Sequence, residues 1–190
     1  MVLSLVDLTI GVLGRIVVSL GLHKLHPNSY TLTGLILAIL TPITAYLGYW
    51  SITVTLMAIS ALMDVLDGLV ARIAGRQTTF GAFLDSLSDR ISDASYILAL
   101  SILGVNQLLC YLLLVASYLV SYARARGEGL GVKLKGVGLI ERQERVITLI
   151  LAGLLVKVNI SMANLILGML LALSMITLIQ RVYHVYREIG

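Results

Sequence analysis

The sequence predicts an all-α integral membrane protein, in which six transmembrane helices follow an N-terminal amphipathic helix that lies in the membrane interface. Of the 190 residues, 58% are hydrophobic and 13% are charged, whereas soluble domains carry about 25% charged residues. Six apolar runs of roughly 20 residues, the length that crosses a bilayer, fit between residues 31 and 180. No run is polar enough for a separate soluble domain, so we predict one transmembrane domain over residues 1–190.

The N-terminal segment, residues 1–24, is predicted to be the juxtamembrane helix. Asp7, Arg15 and Lys24 make it a poor membrane span, while its leucine, isoleucine and valine residues supply an apolar face. A helix of this kind lies in the plane of the interface. A tilted or partly buried helix is the alternative.

A break at Pro27 separates this segment from the first span. Proline biases the preceding His26 away from helical backbone, and Asn28 or Ser29 is predicted to cap the helix that follows. The six predicted spans cover residues 31–49, 52–70, 83–103, 107–123, 146–158 and 162–179. The fifth is short, and we expect it to begin earlier, around Glu141.

The distribution of basic residues predicts the orientation of the spans. The links near residue 50, at 104–106 and at 157–161 carry only one lysine or arginine between them, Lys157. Because cytoplasmic loops carry the excess of basic residues, the other ends of the spans and both termini are predicted to face the cytoplasm. The net charge of +4 is modest, and no nucleic-acid partner is expected.

Four carboxylates lie at the inner ends of the second and third spans, and we predict that they bind metal. They are Asp64, Asp67, Asp85 and Asp89. Spacings of three and four residues share a helix face, and the short link 75–80 makes the two helices antiparallel neighbours. Unpaired acids near hydrocarbon are costly, and hard divalent cations of the magnesium type take carboxylate oxygens. Two ions would nearly neutralise the four acids.

Glycine and arginine residues among these acids fit a ligand site. Gly68 and Gly81 remove side chains where a ligand would touch helix backbone, and Arg72 offers a guanidinium suited to phosphate oxygens. The alternative interpretation is structural: the acids form salt bridges with Arg72, Arg76 and Arg90. Ion pairing alone does not require the glycines, which favours the ligand site.

Over residues 64–89 the chain resembles the CDP-alcohol phosphotransferases. It matches their pattern D-x2-D-G-x2-A-R-x8-G-x3-D-x3-D at every fixed position, through Asp64, Asp67, Gly68, Ala71, Arg72, Gly81, Asp85 and Asp89. The resemblance implies attack of an alcohol on a phosphorus of a CDP-linked lipid, with release of CMP, and magnesium or manganese as the metal. It also implies a homodimer in the membrane.

The resemblance also implies residue roles. Asp64, Asp67 and Asp85 would be metal ligands, and Asp89 would be shared between the second metal and the general base. Gly68, Ala71 and Gly81 would leave room for the cytidine, while Arg72 would pair with phosphate or with an aspartate. The family's Pro-Asn-x-x-Thr element, which lies close to the nucleotide, is matched by Pro27, Asn28 and Thr31, so Asn28 and Thr31 are further candidates for CDP-lipid binding.

A second, basic group of residues lies around the link between the fourth and fifth spans. The positive-inside rule and contact with anionic lipid headgroups explain part of it. Arg124 ends a span, and Arg142 and Arg145 share a helix face at the start of the next. Guanidinium groups placed in this way would point toward the bundle and bind a phosphate bidentately.

The strings S-Y-x-[KR]-A-R and G-x-x-E-R-x-E-R resemble the branch of the family that uses inositol phosphate as acceptor. In that branch a basic pocket binds the acceptor's phosphate, which implies this role for Arg124 and Arg145, with Arg181 as a third member. Asp93, one turn beyond Asp89, is interpreted as a structural partner for a nearby arginine.

The leading functional prediction is transfer of a phosphatidyl or archaetidyl group from a CDP-lipid to inositol phosphate. Within the family, glycerol phosphate or serine as acceptor, or CDP-inositol as donor, remain alternatives. From another class, a divalent-cation transporter would place acids near the bilayer midplane on several helices. The four acids here lie on two adjacent helices at one face, which disfavours a transporter.

Overall fold

The computed structural model describes residue 14 and residues 17–190, and within this range every regular element is helical. A 3-10 turn, Leu22–Lys24, precedes six α-helices. These are α1 (Pro27–Tyr46), α2 (Trp50–Ile73), α3 (Thr79–Ile102), α4 (Gln107–Gly129), α5 (Arg142–Leu155) and α6 (Ile160–Ile189). Each α-helix corresponds to one of the six predicted apolar runs, in the same order.

Four of these helices have the length and apolar composition of membrane spans: α1, α2, α4 and α6. The described part of the chain therefore has the composition of a multi-pass membrane protein. Helix α3 has sufficient length but carries four charged residues, and α5 has only 14 residues. These two helices do not meet the same criterion, so the predicted count of six spans stays a prediction.

The first helix begins earlier than the sequence indicated. Pro27 is the first residue of α1, a position where its missing N–H costs nothing and its fixed φ suits the helix. The backbone N–H of Asn28 donates to Nδ1 of His26 at 3.3 Å. The prediction that Asn28 or Ser29 caps this helix is therefore wrong, because both residues lie inside its first turn.

Most of the predicted juxtamembrane helix, residues 1–13, 15 and 16, lies outside the described residues. Nearer to α1, Gly21 adopts φ +70° and leads into the 3-10 turn. The hydroxyl of Tyr30 donates to the carbonyl oxygen of Leu22 at 2.7 Å, which ties this turn to α1.

The chain forms two compact units. The first contains the described residues up to 39 together with residues 56–92, and there the N-terminal part of α1 packs closely on α2. Ser60 Oγ donates to the carbonyl oxygen of Gly34 at 2.6 Å, and a Cβ on Gly34 would lie 3.1 Å from Met63 Cβ. Glycine at position 34 therefore allows the close approach that brings the polar ends of α1 and α2 together.

The second unit contains residues 40–55 and 93–190, where α6 packs against both α4 and α5. Helix α5 begins with a capping box, in which the Glu141 backbone N–H donates to Glu144 Oε2 at 3.0 Å and the Glu141 side chain accepts from the backbone of Glu144. This arrangement satisfies two N–H groups at the helix start. It confirms the expectation that the fifth helix begins around Glu141.

Candidate active site

Three carboxylates converge within the first unit. Asp64 and Asp67 lie one turn apart on α2, Asp85 lies on α3, and each offers an oxygen within 4.8 Å of the others. Two oxygens that bind one cation at 2.0–2.6 Å lie at most about 5 Å apart, so this spacing suits a magnesium-type ion. Asp67 is the most enclosed of the three, with 5% of its surface exposed.

The fourth acid of the motif, Asp89, does not belong to this group of three. It lies one turn beyond Asp85 on α3, and its Oδ2 is 3.4 Å from Nη1 of Arg90. The Arg90 guanidinium also donates to the carbonyl oxygen of Ser86 at 2.7 Å. The roles of Asp89 as second-metal ligand and base stay predictions.

The hydroxyl of Thr31, on α1, supports the carboxylate of Asp67. Thr31 Oγ1 donates to Asp67 Oδ2 at 2.6 Å, and Thr31 is itself buried. Hydrogen bonds to ligating carboxylates fix their orientation and contribute to metal affinity. The sequence predicted Thr31 for the nucleotide site, and the structure adds a direct contact with a predicted metal ligand.

A cleft of about 440 Å³ opens beside these acids, within the size range of small-molecule sites. Its lining comes from α1, α2, α3 and the link between α2 and α3. All six residues predicted for CDP-lipid binding line it together with two of the acids: Asn28, Thr31, Gly68, Ala71, Arg72, Gly81, Asp67 and Asp85. One cavity therefore brings together residues that are up to 57 positions apart in sequence, from 28 to 85.

Sequence reasoning missed the contribution of the link between α2 and α3. Arg76, Gln77 and Thr78 line the cleft, and Thr78 Oγ1 accepts from the backbone N–H of Gly81 at 2.9 Å, as a helix cap does. The available signal was positional. When two helices carry site residues at the ends that a short link joins, the link lies next to the site. Its polar side chains are then site candidates.

The structural alternative for the arginines fails for two of the three. Arg72 Nε donates to the carbonyl oxygen of Gly68 at 3.0 Å, and Arg76 Nη1 lies 3.5 Å from that of Lys24. Neither has a carboxylate partner within the described part of the chain, and only Arg90 of the three pairs with a motif acid. Two exposed guanidinium groups thus remain at a cleft with the size of a ligand site.

The predicted acceptor-binding arginines lie in the second unit, where two of them contact Asp93. Arg142 Nε is 3.2 Å from Asp93 Oδ1, and Arg145 Nη2 is 3.5 Å from Asp93 Oδ2. Asp93 and Arg145 are buried, at 5% and 3% exposure. The interpretation of Asp93 as a partner for a nearby arginine is confirmed.

Arg181, on α6, is a buried cation without a carboxylate partner among the residues that the structure describes. Only 3% of its surface is exposed. Its Nε donates to the carbonyl oxygen of Val137 at 3.0 Å and its Nη1 to that of Val120 at 2.7 Å. Arg124 and Arg145 are near enough to repel its charge, and Glu141 and Glu128 are near enough to attract it. Arg124 itself is more exposed and pairs with Glu128 at 3.0 Å.

Comparison with known proteins identifies the family. Residues 24–184 match the sequence profile of the family described as CDP-alcohol phosphatidyltransferase. The chain belongs to this family. An archaetidylinositol phosphate synthase of Pyrococcus horikoshii is 36% identical over 178 residues, which make up 93% of this chain and 90% of that protein.

Crystal structures of the Mycobacterium tuberculosis phosphatidylinositol phosphate synthase share the fold. The structure with CDP-DAG bound has a TM-score of 0.76 at 27% identity and covers 95% of both chains. The complex with manganese and citrate has a TM-score of 0.75 at 29% identity and covers 94% of this chain and 89% of that one. The divalent-cation transporter considered as an alternative finds no support in these similarities.

As a member of the CDP-alcohol phosphatidyltransferase family, the chain belongs among enzymes that use divalent metal ions. The three converging carboxylates fit such an ion in ligand chemistry and in spacing. The expectation of a divalent metal cofactor, magnesium or manganese, is confirmed. The number of ions and the role of each aspartate stay predictions.

Gly81→Ala is expected to raise the KM for CDP-lipid about tenfold, because overpacking a filled site costs about 1–3 kcal/mol. A Cβ at this position would lie 2.9 Å from Thr78 Oγ1 and 3.3 Å from Asn28 Oδ1, both at the cleft. Steady-state kinetics with varied CDP-lipid measure the change. Gly168→Ala is the matched control, since a Cβ there meets nothing within 4 Å. An unchanged KM for Gly81→Ala would remove this residue from the binding site.

Proposed function

We propose that this CDP-alcohol phosphatidyltransferase transfers the phosphatidyl or archaetidyl group of a CDP-lipid to inositol phosphate and releases CMP. The observation that carries the proposal is the cleft in which two motif acids meet all six predicted CDP-lipid residues. The relatives named archaetidylinositol phosphate synthase and phosphatidylinositol phosphate synthase support the acceptor.

The donor binds in this cleft. Gly68, Ala71 and Gly81 leave space for the cytidine, as their short side chains keep the helix surfaces accessible. Arg72, whose guanidinium has no carboxylate partner in the described range, pairs with a phosphate oxygen. Asn28 and Thr31 complete the nucleotide end of the site from α1.

The aspartates hold the metal. Asp64, Asp67 and Asp85 would supply carboxylate ligands, and Asp89 would contribute to a second ion. A pair of Mg2+ or Mn2+ ions, when bound, supplies charge neutralisation for the diphosphate and for the leaving oxygen of CMP. Thr31 keeps the Asp67 carboxylate in a ligating orientation through its 2.6 Å hydrogen bond.

Asp89 accepts the proton of the attacking hydroxyl. It follows Asp85 by one helical turn, so it lies beside the group that holds the donor phosphates. A carboxylate is a weak base at neutral pH, and its contribution comes mainly from its position next to the reacting oxygen.

The phosphate of the acceptor binds the basic group of the second unit, formed by Arg124, Arg142, Arg145 and Arg181. Arg181 is central to this assignment. A buried guanidinium without a counter-charge is costly, and among the described residues it has only two backbone carbonyl partners. A phosphate dianion would supply the missing negative charge through bidentate hydrogen bonds.

We also propose that the single domain crosses the membrane six times. The interfacial helix, both termini and the active site lie on the cytoplasmic side, and the protein works as a homodimer. The positive-inside rule supports the orientation, because Lys157 is the one basic residue of the opposite links. Labelling of a cysteine at position 157 by an impermeant reagent, in a Cys110→Ala background, tests it. Labelling only after the membrane is opened would contradict it.

An acceptor competition assay tests the proposed function. Purified protein receives a CDP-lipid, Mg2+ or Mn2+, and equal concentrations of inositol 1-phosphate, inositol, glycerol 3-phosphate and serine. We expect CMP release with inositol phosphate as the preferred acceptor. The buried charge of Arg181 favours a phosphorylated acceptor over inositol and serine, and the relatives named as inositol phosphate synthases favour inositol phosphate over glycerol 3-phosphate. A parallel reaction with CDP-inositol as donor covers the remaining alternative.

Arg181→Gln is the informative variant in this assay. It is expected to remove the preference for inositol phosphate over inositol and to leave CDP-lipid binding intact. Preference of the wild-type protein for serine or glycerol phosphate would contradict the acceptor assignment. Absence of CMP release with every acceptor would contradict the proposed activity as a whole.

A further inference from the structure

We propose that Asp93 is a positioning residue that presets two arginines, Arg142 and Arg145, for the phosphate of the acceptor. The inference rests on the proposed function and adds a residue outside the eight-residue motif. Asp93 does not act on the reacting atoms. It acts through the arginines that it contacts, so its removal should change the affinity for the acceptor and not the chemical step.

The geometry assigns one carboxylate oxygen of Asp93 to each arginine. Oδ1 lies 3.2 Å from Nε of Arg142, and Oδ2 lies 3.5 Å from Nη2 of Arg145. The two arginines are three residues apart at the start of α5 and share a face of that helix. One carboxylate therefore fixes the relative position of two guanidinium groups.

Stability alone does not account for this arrangement. Asp93 and Arg145 are buried, and apolar residues of similar volume in the place of a buried ion pair are often as stable or more so. The start of α5 does not depend on Asp93 either, since the capping box of Glu141 and Glu144 satisfies the helix terminus. The carboxylate also offsets the buried charge of Arg145, and the contacts that do so fix where the two guanidinium groups lie.

The charge balance agrees with this role. Asp93 contacts two guanidinium groups with its single carboxylate, and Arg145 contributes positive charge at Arg181. A preset guanidinium loses less side-chain freedom when it binds a phosphate. Asp93 thus lowers the entropic cost of acceptor binding and leaves the site attractive to an anion.

The experiment compares Asp93→Asn and Asp93→Glu with the wild-type protein. The amide keeps the size and removes the charge, and the glutamate keeps the charge and moves it by one methylene. Both are expected to raise the KM for inositol 1-phosphate about tenfold, the effect of losing one hydrogen bond to a charged group. The kcat at saturating acceptor and the KM for CDP-lipid should stay unchanged. Glu188→Gln, an exposed carboxylate near the end of α6, is the matched control.

A double-mutant cycle separates positioning from a general structural role. If Asp93 acts through Arg142 and Arg145, treated together as one side of the cycle, adding Asp93→Asn to the Arg142→Gln/Arg145→Gln protein should leave its acceptor KM unchanged. Additive effects would overturn the inference, and so would an acceptor KM that is unchanged or lowered in Asp93→Asn. If the amide variant does not fold, Asp93→Glu decides in its place, since an unchanged KM there overturns positioning.

The same data keep this inference distinct from the proposed function. Failure of the wild-type protein to release CMP with inositol phosphate would reject the proposed function. Wild-type activity together with a normal acceptor KM in the Asp93 variants would reject only the positioning role.

Discussion

Asp89→Asn is expected to lower kcat by about two to four orders of magnitude, the usual contribution of a general base, while CDP-lipid binding is largely kept. The amide has nearly the shape of the carboxylate but cannot accept the proton of the acceptor hydroxyl. Asp89 lies outside the group of Asp64, Asp67 and Asp85, so those three ligands remain in place for the donor. Single-turnover CMP release measures the chemical step, and ligand-induced thermal stabilisation measures donor binding.

The control for this variant is Arg90→Gln, which removes the guanidinium 3.4 Å from Asp89 and keeps the carboxylate. It should retain most of the activity, because position next to the substrate matters more than one partly exposed ion pair. Turnover by Asp89→Asn at a rate near that of the wild type would show that the base assignment is wrong.

Asp67→Asn is expected to abolish metal-dependent stabilisation and to lower kcat/KM by about three orders of magnitude. Loss of a metal ligand removes several kcal/mol of charge stabilisation, and each 1.36 kcal/mol is a factor of ten in rate. Asp67 is both a member of the carboxylate group and the partner of Thr31 at 2.6 Å. Thermal unfolding with and without Mn2+, followed by the transfer assay, measures both effects.

Two controls accompany this variant. Thr31→Ser keeps the hydroxyl that donates to Asp67 and should keep the metal response. Removal of metal from the wild-type protein by a chelator should abolish activity, and added Mn2+ should restore it. A Mn2+-dependent increase in the melting temperature of Asp67→Asn equal to that of the wild type would contradict the role of this residue.

The features of the fold and the site that could be predicted depend on two signals: the apolar runs and the eight-residue motif between Asp64 and Asp89. Apolar runs of span length gave the number and order of the helices, because burial in lipid or protein requires apolar side chains over whole helical turns. The three-residue interval between Asp64 and Asp67 placed these acids on one face of α2. The link 75–80 then allowed Asp85 to approach them from α3.

Helix boundaries were less predictable, since alternative starts differ by only about 1 kcal/mol of capping energy. Pro27 serves as the first residue of α1, and the side chain of His26 takes the place that Asn28 or Ser29 was expected to fill. No pattern in the sequence distinguishes these possibilities. The start of α5 was easier to place, because Glu141 and Glu144 have the spacing of a capping box.

Contacts between distant segments were the hardest to predict. The pairing of Thr31 with Asp67 depends on the close approach that Gly34 permits between α1 and α2. The carbonyl partners of Arg181 belong to α4 and to the segment before α5. Such partners are set by tertiary packing, and the local sequence around each residue contains no signal for them.

The most direct test of the central claim is anomalous scattering from crystals of the protein grown with Mn2+. The claim is that acids of two antiparallel helices together bind divalent metal beside the CDP-lipid cleft. We predict one anomalous peak among the carboxylates of Asp64, Asp67 and Asp85 and a second in contact with Asp89. If crystals of protein that is active with Mn2+ showed no anomalous density at these carboxylates, the claim would be contradicted.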